Sequence, residues 1–214
     1  MVVHRANDEK RARLITSGIL GAMTLAMATP FVFQVAGHRV SLVENLGFEA
    51  GNLAPPTAWI LAIFLAAAYV AWSFWAVPFI RTCWREISLL KALGIAAALT
   101  SGVMEEVIFR RFIMDLMSDN GFNDLLQVVA SAILFGLAHL VWRGFGGDWL
   151  SAIYTVLSTT VAGLALGALY LISGRSLGPC ILAHVLINLI IEPWLLLSVV
   201  REGAISADSQ RPNR

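Results

Sequence analysis

Six stretches of this chain are apolar and long enough to cross a lipid bilayer, and no other feature narrows its possible folds so far. A helix needs about 20 apolar residues to cross a hydrocarbon core roughly 30 Å thick. Runs near 14–36, 57–80, 88–117, 125–142, 150–172 and 179–200 meet that length. The third is long for one crossing, because thirty residues at 1.5 Å each reach about 45 Å. It must tilt, kink near Gly102 or run past the membrane. Pro55-Pro56 opens the second run and Pro179 the sixth, where a missing N–H costs little. Composition agrees: 58% of residues are hydrophobic and 14% charged, whereas soluble domains average about 45–50% and about 25%. The expected fold is all-α, a polytopic membrane bundle of about six transmembrane helices.

No repeat, low-complexity tract or linker divides the chain, so residues 1–214 read as a single integral-membrane domain. It starts with a basic, cytoplasmic N-terminus (1–13) and finishes in a polar C-terminal tail (201–214). Residues 1–28 share the pattern of a signal peptide, but the apolar run continues to Ala36, as a retained helix would. With the N-terminus inside, eleven lysines and arginines fall on the cytoplasmic side: Arg5, Lys10, Arg11, Arg13, Arg81, Arg85, Lys91, Arg143, Arg201, Arg211 and Arg214. Four, Arg39, Arg110, Arg111 and Arg175, are left for the other side. That bias sets both termini in the cytoplasm, and the short form favours a bacterial plasma membrane. Trp72, Trp75, Trp84, Trp142, Trp149 and Trp194 lie mostly near span ends, as interfacial anchors do. A net charge of +1 gives no electrostatic case for nucleic acid. Cys83 and Cys180 show neither disulfide-framework nor zinc-knuckle spacing.

Ionisable groups inside a span cost about 2.5–3.5 kcal/mol each on insertion scales and are functional suspects by default. Three clusters qualify: Glu105-Glu106 with Arg110, Phe135 with His139, and His184 with Asn188. Glu106 and Arg110 stand four residues apart with the acid first, the better orientation for a helical ion pair. Glu105 is then turned about 100° away. His184 and Asn188 share one helix face, as do Ser131, Phe135 and His139. His139 and His184 sit near span ends that face opposite sides of the membrane, so the clusters meet only if each reaches toward the midplane. Glu192 continues the His184/Asn188 stripe and reads as a boundary residue before Pro193, with little weight as an accessory acid. Gly163-x-x-x-Gly167 reads as close helix packing.

A carboxylate and an imidazole sharing one water can make it a nucleophile near neutral pH, while an imidazole and an amide can donate to a developing oxyanion. Such a set suits amide hydrolysis. Each cluster also has a structural reading: an ion pair, an interfacial histidine, interhelical hydrogen bonding.

Glu105-Glu106-x-x-x-Arg110, Phe135-x-x-x-His139 and His184-x-x-x-Asn188 stand in this order on successive apolar segments, with Gly174-Arg175-Ser176-Leu177-Gly178-Pro179 approaching the last. Together they resemble the three motifs of the CPBP family, the type II CAAX prenyl proteases and bacteriocin-processing (Abi) enzymes. The resemblance covers about 90–195, within a protease-like core of about 88–200. It implies a glutamate-dependent intramembrane endopeptidase acting on a membrane-associated peptide or protein, without an obligatory metal or other cofactor. By motif position Glu105 and His139 would activate water, and His184 and Asn188 would form the oxyanion site. Glu106, Arg110 and Phe135 would support them. Two alternatives remain open: a zinc hydrolase using His139, His184 and a glutamate, and a non-catalytic membrane binding protein in bacteriocin self-immunity or scaffolding.

Overall fold

A computed structural model describes residues 2–37, 54–145 and 148–209. Arg39, Arg211 and Arg214 of the charge balance lie outside them. The described residues are helical and contain no strand. We number the helices α1 (Val2–Gly37), α2 (Pro56–Ala76), α3 (Pro78–Cys83), α4 (Leu89–Glu106), α5 (Asp115–Asp119), α6 (Asp124–Ala138), α7 (Trp149–Ile172), α8 (Leu177–Ile191) and α9 (Trp194–Ser209). A π-helical segment, Val107–Met114, joins α4 to α5, and a 3₁₀ segment, His139–Phe145, follows α6.

Five helical stretches are long and apolar enough to span a membrane: Asn7–Pro30, Pro56–Ala76, Leu89–Asp119, Asp124–Phe145 and Trp149–Ile172. The pair α8 and α9, bent by 49°, meets the same test only when taken together as one broken stretch. The sixth run is thus two helices rather than one. The residue before a proline is pushed out of the helical region, and Glu192 is extended at φ −85°, ψ 143°. The third run is continuous over 31 residues. Its irregularity is the π segment five residues beyond Gly102, not a kink at Gly102.

Lipid-facing positions are large and apolar, including Phe64, Trp75, Leu125, Trp149 and Val161. The interior is built from small residues that let backbones approach. Ala58, Ala62 and Ala66 form one buried stripe of α2, which packs on α8. A Cβ at Gly102 would lie 2.6 Å from Val185 Cγ2, so α4 meets α8 there in direct backbone contact. The α6/α7 pair is the most extensive in the bundle, and Gly163 and Gly167 serve it as close packing: added Cβ atoms would meet Ala132 Cα at 2.9 Å and Val128 Cγ1 at 3.2 Å. Both cysteines are free. Trp72, Trp75 and Trp149 are exposed as anchors should be, but Trp194 is fully buried in the core shared by α1, α8 and α9.

Candidate active site

The three clusters converge. At the end of α4, the Glu106 side chain is wholly buried, and its Oε1 accepts from Arg110 Nη1 at 3.1 Å and from His184 Nδ1 at 2.7 Å. Arg110, also wholly buried, donates through Nη2 to Gly163 O at 3.2 Å and lays its guanidinium 4.8 Å over the Phe135 ring. A buried pair gains from every further bond its members make. Here α7 supplies the carbonyl, α6 the ring and α8 the imidazole, while Glu106 Oε2 and Arg110 Nε are left without a partner.

Glu105 is less enclosed than its neighbour. Its side chain is 14% exposed, and Oε2 has no hydrogen-bond partner. That oxygen stands 3.9 Å from His184 Nε2. Because the Glu106 carboxylate can only accept, His184 Nδ1 carries the proton of that bond, and Nε2 is the atom turned to Glu105. A water about 2.8 Å from both atoms would subtend roughly 90°, within hydrogen-bonding reach of each. One turn along α8, Asn188 Nδ2 donates to Ser101 Oγ at 3.3 Å, leaving its second N–H unused by that bond.

His139 stands where α6 tightens into the 3₁₀ segment. Its Nδ1–H donates to Phe135 O at 2.8 Å, which leaves the Nε2 lone pair free in the neutral ring. The Phe135 ring lies between the parts, 4.8 Å from His139, 5.7 Å from His184 and 5.2 Å from Phe109. Ser131, the third member of that face, donates to Phe109 O at 2.7 Å inside the π segment, giving the widened turn an extra partner. Direct contacts therefore join Glu105, Glu106, Arg110, Phe135 and His184, with His139 attached through Phe135 and Asn188 one turn along α8 through Ser101.

Other contributors carry little sequence signal. Ser101 lies one helical turn before Glu105, a position readable from spacing alone. Gly163 contributes only its carbonyl. Glu192 does end α8, as its C-cap before Pro193, but it does not face solvent. It is buried, with Oε2 unpartnered, and Lys91 Nζ donates to the backbone carbonyls of Leu189 and Glu192 beside it. Among the described residues no group of three His, Cys, Asp or Glu side chains is placed to hold a metal ion.

These features define an integral membrane protein of helical architecture with a carboxylate–imidazole centre enclosed among its spans. Residues 87–190, just under half of the chain, match the family model for Rce1-like type II CAAX prenyl endopeptidases. No curated protein and no solved structure matches the chain.

Proposed function

We propose that the protein is an intramembrane endopeptidase that hydrolyses a peptide bond in a membrane-associated peptide or protein, using water activated by Glu105. The match of residues 87–190 to the Rce1-like type II CAAX prenyl endopeptidase family supports the reaction class. The observation that carries the mechanism is the free Oε2 of Glu105 facing His184 Nε2, beside a second glutamate already committed to Arg110. In this reading Glu105 takes a proton from a water, and the water oxygen attacks the scissile carbonyl carbon. His139, with Nε2 free, is the second acceptor for that water. Asn188 donates its unused N–H to the oxyanion, and His184 adds Nε2–H when its ring holds both protons. One such donor contributes about 3–4 kcal/mol to the transition state. Glu105 then delivers its proton to the leaving nitrogen as the C–N bond breaks. Glu106, Arg110 and Phe135 fix the histidines. The bundle would sit in a bacterial plasma membrane with both termini cytoplasmic.

The test compares new protein N-termini in host membranes carrying wild type or Glu105→Ala at matched levels, with and without a chelator. Termini made only by wild type, and made equally with chelator, are expected. Identical sets of termini in the two membranes would refute proteolysis. Their loss on chelation would transfer the site to zinc.

A further inference from the structure

Hydrolysis consumes one water per bond, and Glu105 lies deep in an apolar bundle. Lys91, in the first turn of α4, and Glu105, near its end, are separated by about 21 Å of helix rise. The antiparallel α4/α8 interface between them carries polar groups in sequence. Lys91 Nζ holds the carbonyls at the end of α8. Glu192, 9% exposed, follows with an unpartnered Oε2. Asn188 and Ser101 are bonded to each other one turn further in. Glu105, with its own unpartnered Oε2, is last.

Each step along one helix, Glu192 to Asn188 and Ser101 to Glu105, is one turn, about 6 Å of rise. A water bonded at about 2.8 Å on each side spans about 5.6 Å. Single waters therefore match the steps. A buried carboxylate oxygen without a partner costs several kcal/mol in an apolar setting, and polar groups so placed ordinarily hold buried water. The neighbouring contacts are dry and tight: a Cβ at Gly94 would lie 2.7 Å from Pro193 Cδ.

We propose that Lys91, Glu192, Asn188 and Ser101 line the route by which water reaches Glu105, with Glu192 as the positioning residue that keeps it hydrated. The proposal rests on the hydrolytic reading above, but its test does not require proteolysis. In a Cys83→Ser/Cys180→Ala background, Ser101→Cys is exposed in membranes to a small cationic methanethiosulfonate, which reacts with hydrated thiolate. Leu99→Cys, on the half-exposed lipid-facing side of α4, sets the rate outside the route. Ser101→Cys should react faster than Leu99→Cys. Adding Glu192→Leu should slow it by roughly tenfold or more, since the thiol then lacks the water that supports its thiolate, while Glu192→Gln should keep the rate. Each variant is first checked for monodispersity. A Ser101→Cys rate no faster than Leu99→Cys, no effect of Glu192→Leu, or equal effects of Leu and Gln would overturn the proposal. Labelling without wild-type-specific termini would leave the hydrated route standing and remove the protease. The reverse result would remove only the route.

Discussion

Gly136 is the position where the packing of the bundle and the geometry of the site are most tightly coupled. A Cβ there would lie 2.0 Å from Thr160 Oγ1 and 2.8 Å from Val156 O. The hydroxyl can rotate away, but the backbone carbonyl of α7 cannot, so α6 and α7 must part by roughly half an ångström to restore ordinary contact. Overpacking of this kind costs about 1–3 kcal/mol. For a chain of this length that lowers the unfolding midpoint by about 2–12 °C. Gly18→Ala is the matched control, because nothing lies within 4 Å of its added methyl, and helix propensity alone should leave it neutral or slightly more stable. Gly136 lies between Phe135 and His139, so the same displacement shifts the imidazole. A misplacement approaching 1 Å can cost about a hundredfold in rate, and activity should fall further than folded population. The assay pairs tryptophan-monitored melting in mild detergent with the rate of appearance of wild-type-specific N-termini. Thr160→Ala added to Gly136→Ala should recover part of the loss. A Gly136→Ala protein that melts and cleaves like Gly18→Ala would show that the α6/α7 contact does not constrain the site.

Two further outcomes follow from the charged groups. Arg110→Met leaves Glu106 buried without its cation and should destabilise by about 3–5 kcal/mol, whereas Glu105→Gln removes an acid with an unpartnered oxygen and should abolish cleavage at equal or higher stability; chemical-denaturation midpoints of the two variants settle the contrast. On the polar end of the bundle, the Arg13 guanidinium, bonded to Glu86 at 2.7 and 3.1 Å, holds the Glu86 carboxyl below its ordinary value near 4.5. Its folded value lies below its unfolded one, so the contribution is present at neutral pH and fades as pH falls through the carboxylate range. The stability gap between wild type and Glu86→Gln should close on acidification, and a gap that is constant with pH would refute the pairing.

The membrane bundle was legible because spanning length and apolarity are local properties, and the three clusters were legible because ionisable groups are expensive in lipid. Spacing gave correct faces: Glu106 does pair with Arg110, and Ser131, Phe135 and His139 do line one side of α6. What spacing could not give was depth. Whether His139 and His184 meet depends on how far α6 and α8 overlap, which is set by glycine contacts between helices distant in sequence. The π segment was also hidden, since Val-Ile-Phe-Arg-Arg-Phe-Ile-Met carries no breaker, and its register is held from outside by Ser131. Glu192 is a different case. Pro193 announces the end of α8, but whether the residue before it faces solvent or protein depends on where α9 turns. A bend of 49° folds Trp194 and Glu192 inward.

The two adjacent glutamates explain why so compact a bundle retains this much charge. They are chemically identical and one residue apart, so only their surroundings can divide their roles. The helical rotation of about 100° between neighbours turns one carboxylate onto Arg110 and His184 Nδ1 and the other toward His184 Nε2. Glu106 and Arg110 cancel as formal charges, and the pair acts as a neutral brace that also fixes the His184 proton on Nδ1. Glu105 faces His184 Nε2 at 3.9 Å instead. A carboxylate in a span costs a few kcal/mol, and the hydrolytic reading proposed above gives this one a task. The polar stripe leading from Lys91 through Glu192 and Asn188 then supplies the one reactant that a hydrophobic fold would otherwise exclude.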